Sequence, residues 1–115
     1  MMPKVSVRIE WPEHAPLPEN AYAVVTVEDV SRADAPSVVV GETLLEEVDP
    51  GTPTMTEVEV GEVDPGADLV VRVHVADRSR AERQIEIGDL VTTESYPVLT
   101  RGRGSSVVVR PRVIG

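Results

Sequence analysis

The chain has 115 residues, a formal net charge of −9 and no Cys. That length makes one domain, residues 1–115, able to bury its own core. The acidic balance argues against nucleic acid as a partner, and the missing thiols exclude disulfides, thiolate metal sites and a Cys nucleophile.

Aromatics are scarce, with Trp11, Tyr22, Tyr96 and no Phe, so the core must come from Val, Leu and Ile. Each such side chain contributes roughly 1.5–3 kcal/mol when fully buried. No apolar run nears the ~18 residues that span a bilayer, so these residues predict no membrane insertion. The opening MMPKVSVRIE has no apolar signal region. The expected compartment is cytoplasmic as written, or the cell envelope if an export segment precedes these residues. The charge is uneven. Ala33 to Val71 holds ten acids and no Lys or Arg, whereas eight Arg face five acids from Arg72 onward. This pattern suits a solvated surface, or a negative face for a basic partner, or a head-to-tail self-contact.

In chain order, Lys4 to Glu10 alternates with Val5, Val7 and Ile9 inward, which predicts a first strand. WPEHAPLPEN follows, and Pro12, Pro16 and Pro18 exclude a helix interior. The segment reads as a stiff crossing between two sheets, with Trp11 and Leu17 placed to cap the core. Tyr22 to Glu28 is the second strand. Asp29 and Ser31 open a polar turn. Val38 to Leu45 is the third, with Gly41 marking a bulge or bend.

EVDPG occurs at Glu47–Gly51 and again at Glu62–Gly66. Pro before Gly predicts two type II turns, Gly supplying positive φ. They flank a strand through Thr56, Val58 and Val60. Its outward Glu57 and Glu59 offer too few ligands for an oxygen-bound metal, so no metal site is expected.

Asp68 to Ala76, DLVVRVHVA, is the longest clean alternation in the chain. Leu69, Val71, Val73 and Val75 share one face; Val70, Arg72 and His74 share the other. No Gly or Pro interrupts it, which predicts a central strand. DRSRAERQ is a charged connection. Ile85 and Ile87 are expected to resume a strand, with Leu90 to Ser95 continuing after a Gly88-Asp89 turn. Val107, Val109 and Val113 form a last strand, whose Pro111 belongs at a sheet edge or past the pairing. The sum is all-β, seven or eight mostly antiparallel strands in two stacked sheets.

Three stretches together resemble the YbaY/YscW lipoprotein family, which includes type III secretion lipoprotein chaperones, or pilotins. The first runs from Leu17 to Glu42, with Leu17, Pro18, Asp29, Ser31 and Asp34 at the family's Leu-Pro and Asp-x-Ser-x-x-Asp positions. The second is DLVVRVHVADRSR. The third, Gly88 to Gly102, carries Tyr96, Pro97, Val98, Leu99, Thr100 and Gly102 at the Tyr-Pro-Val-Leu-Thr-x-Gly signature. The resemblance implies an immunoglobulin-like or transthyretin-like β-sandwich that binds or escorts another protein in the cell envelope, with no catalytic residues to carry over. The family's lipobox Cys is missing from these residues.

The residues themselves offer no enzyme. Nucleophilic catalysis needs a nucleophile, a base and an orienter converging. His14 and His74 lack ligand spacing, and no Gly-x-Ser-x-Gly elbow or phosphate-cradling Gly loop is present. The expectation is a non-catalytic β-sandwich without cofactors, binding a protein partner or a second copy of itself as a homodimer through a sheet face or edge, with Arg72 and His74 on the binding face. The alternative is a small-ligand or carbohydrate-binding accessory module working near Trp11.

Overall fold

A computed structural model describes residues 3–12, 17, 21–32, 34–49, 51–77, 85, 87–100 and 102–114. The expectations for His14, for most of the Pro-rich segment and for residues 78–84 lie outside them.

Eight strands are present: β1 (Lys4–Ile9), β2 (Ala21–Asp29), β3 (Val38–Leu45), β4 (Thr54–Glu59), β5 (Leu69–Asp77), β6 (Leu90–Val91), β7 (Ser106–Val109) and β8 (Arg112–Val113). They form two sheets, ordered β4-β1-β7 and β3-β2-β5-β6-β8. Every pairing is antiparallel except β1 with β7. The expected all-β sandwich is therefore what the chain forms.

Alternation decides which side chains meet between the sheets. Val5, Val7 and Ile9 of β1 face Ala23, Val25 and Val27 of β2 and Leu69, Val71, Val73 and Val75 of β5 in one buried cluster. β5 is flanked by β2 on one side and β6 on the other, so its position is central as its pattern requires. Trp11, Leu17 and Tyr96 pack against the cluster from outside. In a core made almost wholly of aliphatic side chains, the amphipathic rings of Trp11 and Tyr96 serve as lids.

Gly41 sits where the sheets meet at one side. A β-bulge interrupts the β2–β3 register there, since Val27 pairs with Gly41 but Glu28 pairs with Val39. The bulge turns Val40 toward the core and lets its carbonyl accept the Gly61 amide at 3.0 Å.

Four expectations need correction. Ile85 and Ile87 resume no strand; both are exposed, because Gly88 turns the chain at φ 95 and donates its amide to the Ile114 carbonyl. The strand expected from Leu90 to Ser95 holds only Leu90–Val91. Just past it, the Thr92 amide donates to the Val73 carbonyl at 3.1 Å, but the Val73 amide goes to the Thr92 hydroxyl at 3.4 Å, the place that Thr92's own carbonyl would take in a continuing ladder. The last strand is two strands. β7 lies in the small sheet and β8 in the large one, with Arg110 and a buried Pro111 making the step. The missing Pro111 amide would break any continuous ladder at that point.

The fourth correction concerns the EVDPG turns. Ala67 donates to the Asp64 carbonyl at 2.9 Å, closing a β-turn, but Gly66 does not take the positive φ that type II requires. The Asp64 carboxylate instead accepts the Gly66 amide at 2.8 Å, and this side-chain bond shapes the turn. Asp49 does the same for Gly51 at 2.8 Å. Pro50 lies outside the described residues.

Candidate binding face

The outer face of the large sheet gathers the polar residues of β2 and β5. The register sets Val24 beside His74, Thr26 beside Arg72 and Glu28 beside Val70. Val70 and Val91 are nearly buried although they point away from the core cluster. Together with Val39 and Ile85, these residues line a groove of about 550 Å³. That volume falls within the usual range of ligand sites.

Arg72 and His74 both line the groove, two residues apart on one strand face. Each is tied to an acid from another segment. Arg72 Nη1 lies 3.4 Å from Glu28 Oε1, and the Glu28 carboxylate also accepts the hydroxyls of Thr26 at 2.7 Å and Ser37 at 2.5 Å. Glu28 is thereby fixed, with its side chain only 12% exposed, whereas Arg72 remains 53% exposed and free to contact a ligand. His74 Nε2 lies 2.7 Å from Asp89 Oδ2, and the Asp89 side chain is 5% exposed. The groove thus has an apolar floor and two oriented polar points.

A His–carboxylate pair is also part of a hydrolytic triad. Two of the hydroxyls that line the same groove are engaged elsewhere. Thr26 donates to Glu28, and Thr92 accepts the Val73 amide. Neither of these two is bonded to His74, whose ring bonds Asp89. Nor do three metal-ligating side chains come together among them. Glu57 and Glu59 lie beside Lys4 instead, at 4.0 and 3.9 Å.

Trp11 is not part of the groove. Its indole N–H donates to Thr54 Oγ1 at 3.1 Å, and its ring is half-buried against the core. The structure therefore brings Arg72 and His74 together and leaves Trp11 apart. Sequence reasoning missed Glu28 and Asp89. Both read as ordinary strand-end and turn acids, and nothing local marks a partner 44 or 15 residues away.

The family motifs border the groove's end. The Ser31 hydroxyl and amide both donate to Asp29 Oδ1, the amide at 2.9 Å. These bonds, with the nearby Arg32 charge, hold the Asp29 carboxyl below its ordinary range. Ser31 Oγ in turn accepts the Asp68 amide at 2.9 Å, and the Val30 amide donates to the Asp68 carbonyl at 2.8 Å. The turn is thus stitched to the start of β5. Across from it, Val71 donates to the Tyr96 carbonyl and Val98 to the Leu69 carbonyl, both at 3.0 Å, around a Val70–Pro97 bridge. Leu99 then adopts φ 63, and the Thr100 amide reaches back to the Val98 carbonyl at 2.7 Å. The Thr100 hydroxyl donates to the Ala67 carbonyl at 2.6 Å. The signature is a tight γ-type turn, a strained conformation for a non-glycine residue, locked by buried bonds. A second hollow of about 490 Å³ lies beside it, lined by Asp68, Ser95, Pro97, Thr100 and Arg103.

No described helix is long and apolar enough to cross a membrane. Comparison with solved structures finds an alternative pilotin from the type II secretion system of Vibrio cholerae. It shares a TM-score of 0.74 and 17% identity over 97% of this chain and 98% of that one. At that identity the likeness establishes the fold. A comparison with curated proteins finds none that matches. The model of one protein family, type III secretion system lipoprotein chaperone (YscW), matches residues 1–110. With the two-sheet fold and the three motifs in place, this chain belongs to the YscW family of type III secretion system lipoprotein chaperones.

Proposed function

We propose that this protein is a non-catalytic binding module that holds a segment of another protein on the outer face of its large sheet. The observation that carries the reading is the groove itself. Val24, Val70 and Val91 give it apolar area, while the Glu28-held Arg72 and the Asp89-held His74 give it fixed polar contacts. Such a combination favours an amphipathic segment, whose apolar side chains enter the groove and whose polar groups meet Arg72 and His74. Arg72 is the principal contact because it is charged, exposed and pre-oriented. Membership in a chaperone family supports a protein partner over a small substrate.

The test is site-specific photo-crosslinking in native extract. A photoreactive side chain at Val39, on the groove wall, is expected to capture one protein. The same group at Ser6, on the small sheet, is expected to capture none. Arg72→Glu in the Val39 probe should reduce capture at least about tenfold, the loss expected when a charged contact is reversed. Equal capture from both faces, or capture indifferent to Arg72→Glu, would remove this reading.

A further inference from the structure

The groove on the large sheet does not stop at Val70. The second hollow, beside the family signature, shares Val30, Val70 and Ser95 with it. The outward residues of β5 carry the path: His74, Arg72 and Val70 line the groove, then Val70 and Asp68 line the hollow. From His74 to Asp68 is six residues of extended chain, which makes the trough about 20 Å long. Each hollow alone would suit a small ligand. Joined end to end, they suit a segment of polypeptide.

The charges along this trough do not balance. Its acids already have partners. Glu28 accepts two hydroxyls and pairs with Arg72, Glu94 lies 3.9 Å from Arg112, and Glu42 and Asp68 are bonded as well. Arg103 differs. It is exposed, it lines the hollow, and its side chain pairs with no acid among the described residues. Its backbone is nonetheless fixed: the Arg103 amide donates to the Thr100 carbonyl at 3.0 Å, and the Thr100 hydroxyl is tied to the Ala67 carbonyl. A guanidinium on an ordered backbone, with no carboxylate of its own, is a ready contact for an anionic group. The other cation of the trough is Arg72, which lies four residues along β5 from Asp68, about 13 Å.

We infer that Arg103 is a second anchor for the segment that occupies the groove, and that this segment is acidic: an apolar run with one Asp or Glu for Arg72 and another for Arg103. This rests on the proposed use of the groove and adds to it the far end of the site and the charge pattern of the partner. The two acids lie about 13 Å apart, which is four residues of extended chain or about nine of helix. Arg103 sets specificity at its end, because a basic segment would be repelled there and a neutral one would leave the guanidinium without a partner. The contact is exposed, so its strength falls with added salt.

The experiment is selection on the whole chain, at low salt, from a displayed library of random peptides of about 16 residues, long enough to cover the trough even as a helix. The wild type should enrich peptides with an apolar run and two acids. Arg103→Glu should keep the acid that meets Arg72 and exchange the other for Lys or Arg; Arg72→Glu should do the converse. Peptides selected by the wild type should bind Arg103→Glu about three- to tenfold more weakly, as expected when an exposed ion pair becomes a repulsion. Enrichment of a basic end also shows that the variant is folded. A wild-type selection without acids overturns the inference, as does an end residue indifferent to Arg103→Glu. If the selected residues respond to Arg72→Glu alone, the groove keeps its proposed use and Arg103 loses its role. If they respond to neither variant, or no peptide is enriched, both fall. Phosphatidylglycerol vesicles bound by the wild type and not by Arg103→Glu, with no acidic peptide enriched, would make a membrane surface the occupant and overturn the inference as well.

Discussion

At Gly41 the backbone of β3 lies against that of β4. A Cβ there would collide with the main-chain oxygen of Glu59 and come within 3.0 Å of Val58 Cγ1. Neither neighbour can yield, since Glu59 is paired to β1 and Val58 is fully buried. Gly41→Ala is therefore expected to destabilise the fold by about 1–3 kcal/mol. A urea midpoint shifted downward at unchanged slope would register it. Asp29 makes a prediction of the opposite kind, one that depends on pH. Its folded carboxyl titrates below the ordinary Asp value because the Ser31 hydroxyl and amide bond the charged form. A depressed folded value stabilises the native state above about pH 4, and that contribution is lost as pH falls through the folded value. Asp29→Asn should lower stability at neutral pH and flatten the acid limb of a stability–pH curve. A variant curve parallel to the wild type below pH 4 would contradict this account.

Among the elements, the Tyr96–Gly102 turn most depends on its bonds. It holds Leu99 at positive φ, which costs about 1–3 kcal/mol for a non-glycine residue. The buried Thr100 hydroxyl offsets part of that by satisfying the Ala67 carbonyl. Thr100→Val keeps the shape and removes the donor, leaving a buried acceptor unpaired. The expected loss is about 1–3 kcal/mol in thermal or chemical unfolding, with local hydrogen exchange rising first at Leu99, whose amide bonds the Gly104 carbonyl. The Tyr96 hydroxyl adds a second anchor, accepting the Arg110 amide at 3.1 Å. The family signature is thus a device for tying the chain after β6 to both β5 and the crossing before β8.

For the molecule as a whole, most pairing is distant in sequence. Ser6 pairs with Ser106, so the small sheet closes only when both ends of the chain meet. Topologies of this sort carry a large loop-closure cost and fold in milliseconds to seconds. Stopped-flow refolding is expected to give relaxation in that range, and a main phase in microseconds would be inconsistent with the sheet order. The same topology brings Arg110 beside Glu10 and Arg112 beside Glu94, acids 100 and 18 residues away along the chain. It also lifts the outer face of β2 and β5 into a groove instead of a flat wet surface.

Strict alternation was enough to place Val5, Val7, Ile9, Val25, Val71 and Val73 in the core and to make β5 central, because a period of two commits a side chain to one face of a strand wherever that strand lies. Turn residues with local bonds, such as Asp29 and Ser31, were legible for the same reason: their partners are two residues away. What alternation could not supply was partnership across the sheet. The step at Pro111, the early end of β6 at Thr92, and the acids that hold Arg72 and His74 all depend on which segments the closed sandwich brings side by side. The amino-acid order determined faces and bends, since those are properties of neighbours along the chain. Tertiary structure alone decided the groove and the acids that orient its Arg72 and His74, since both are made by residues of separate segments that meet only once the large sheet has formed.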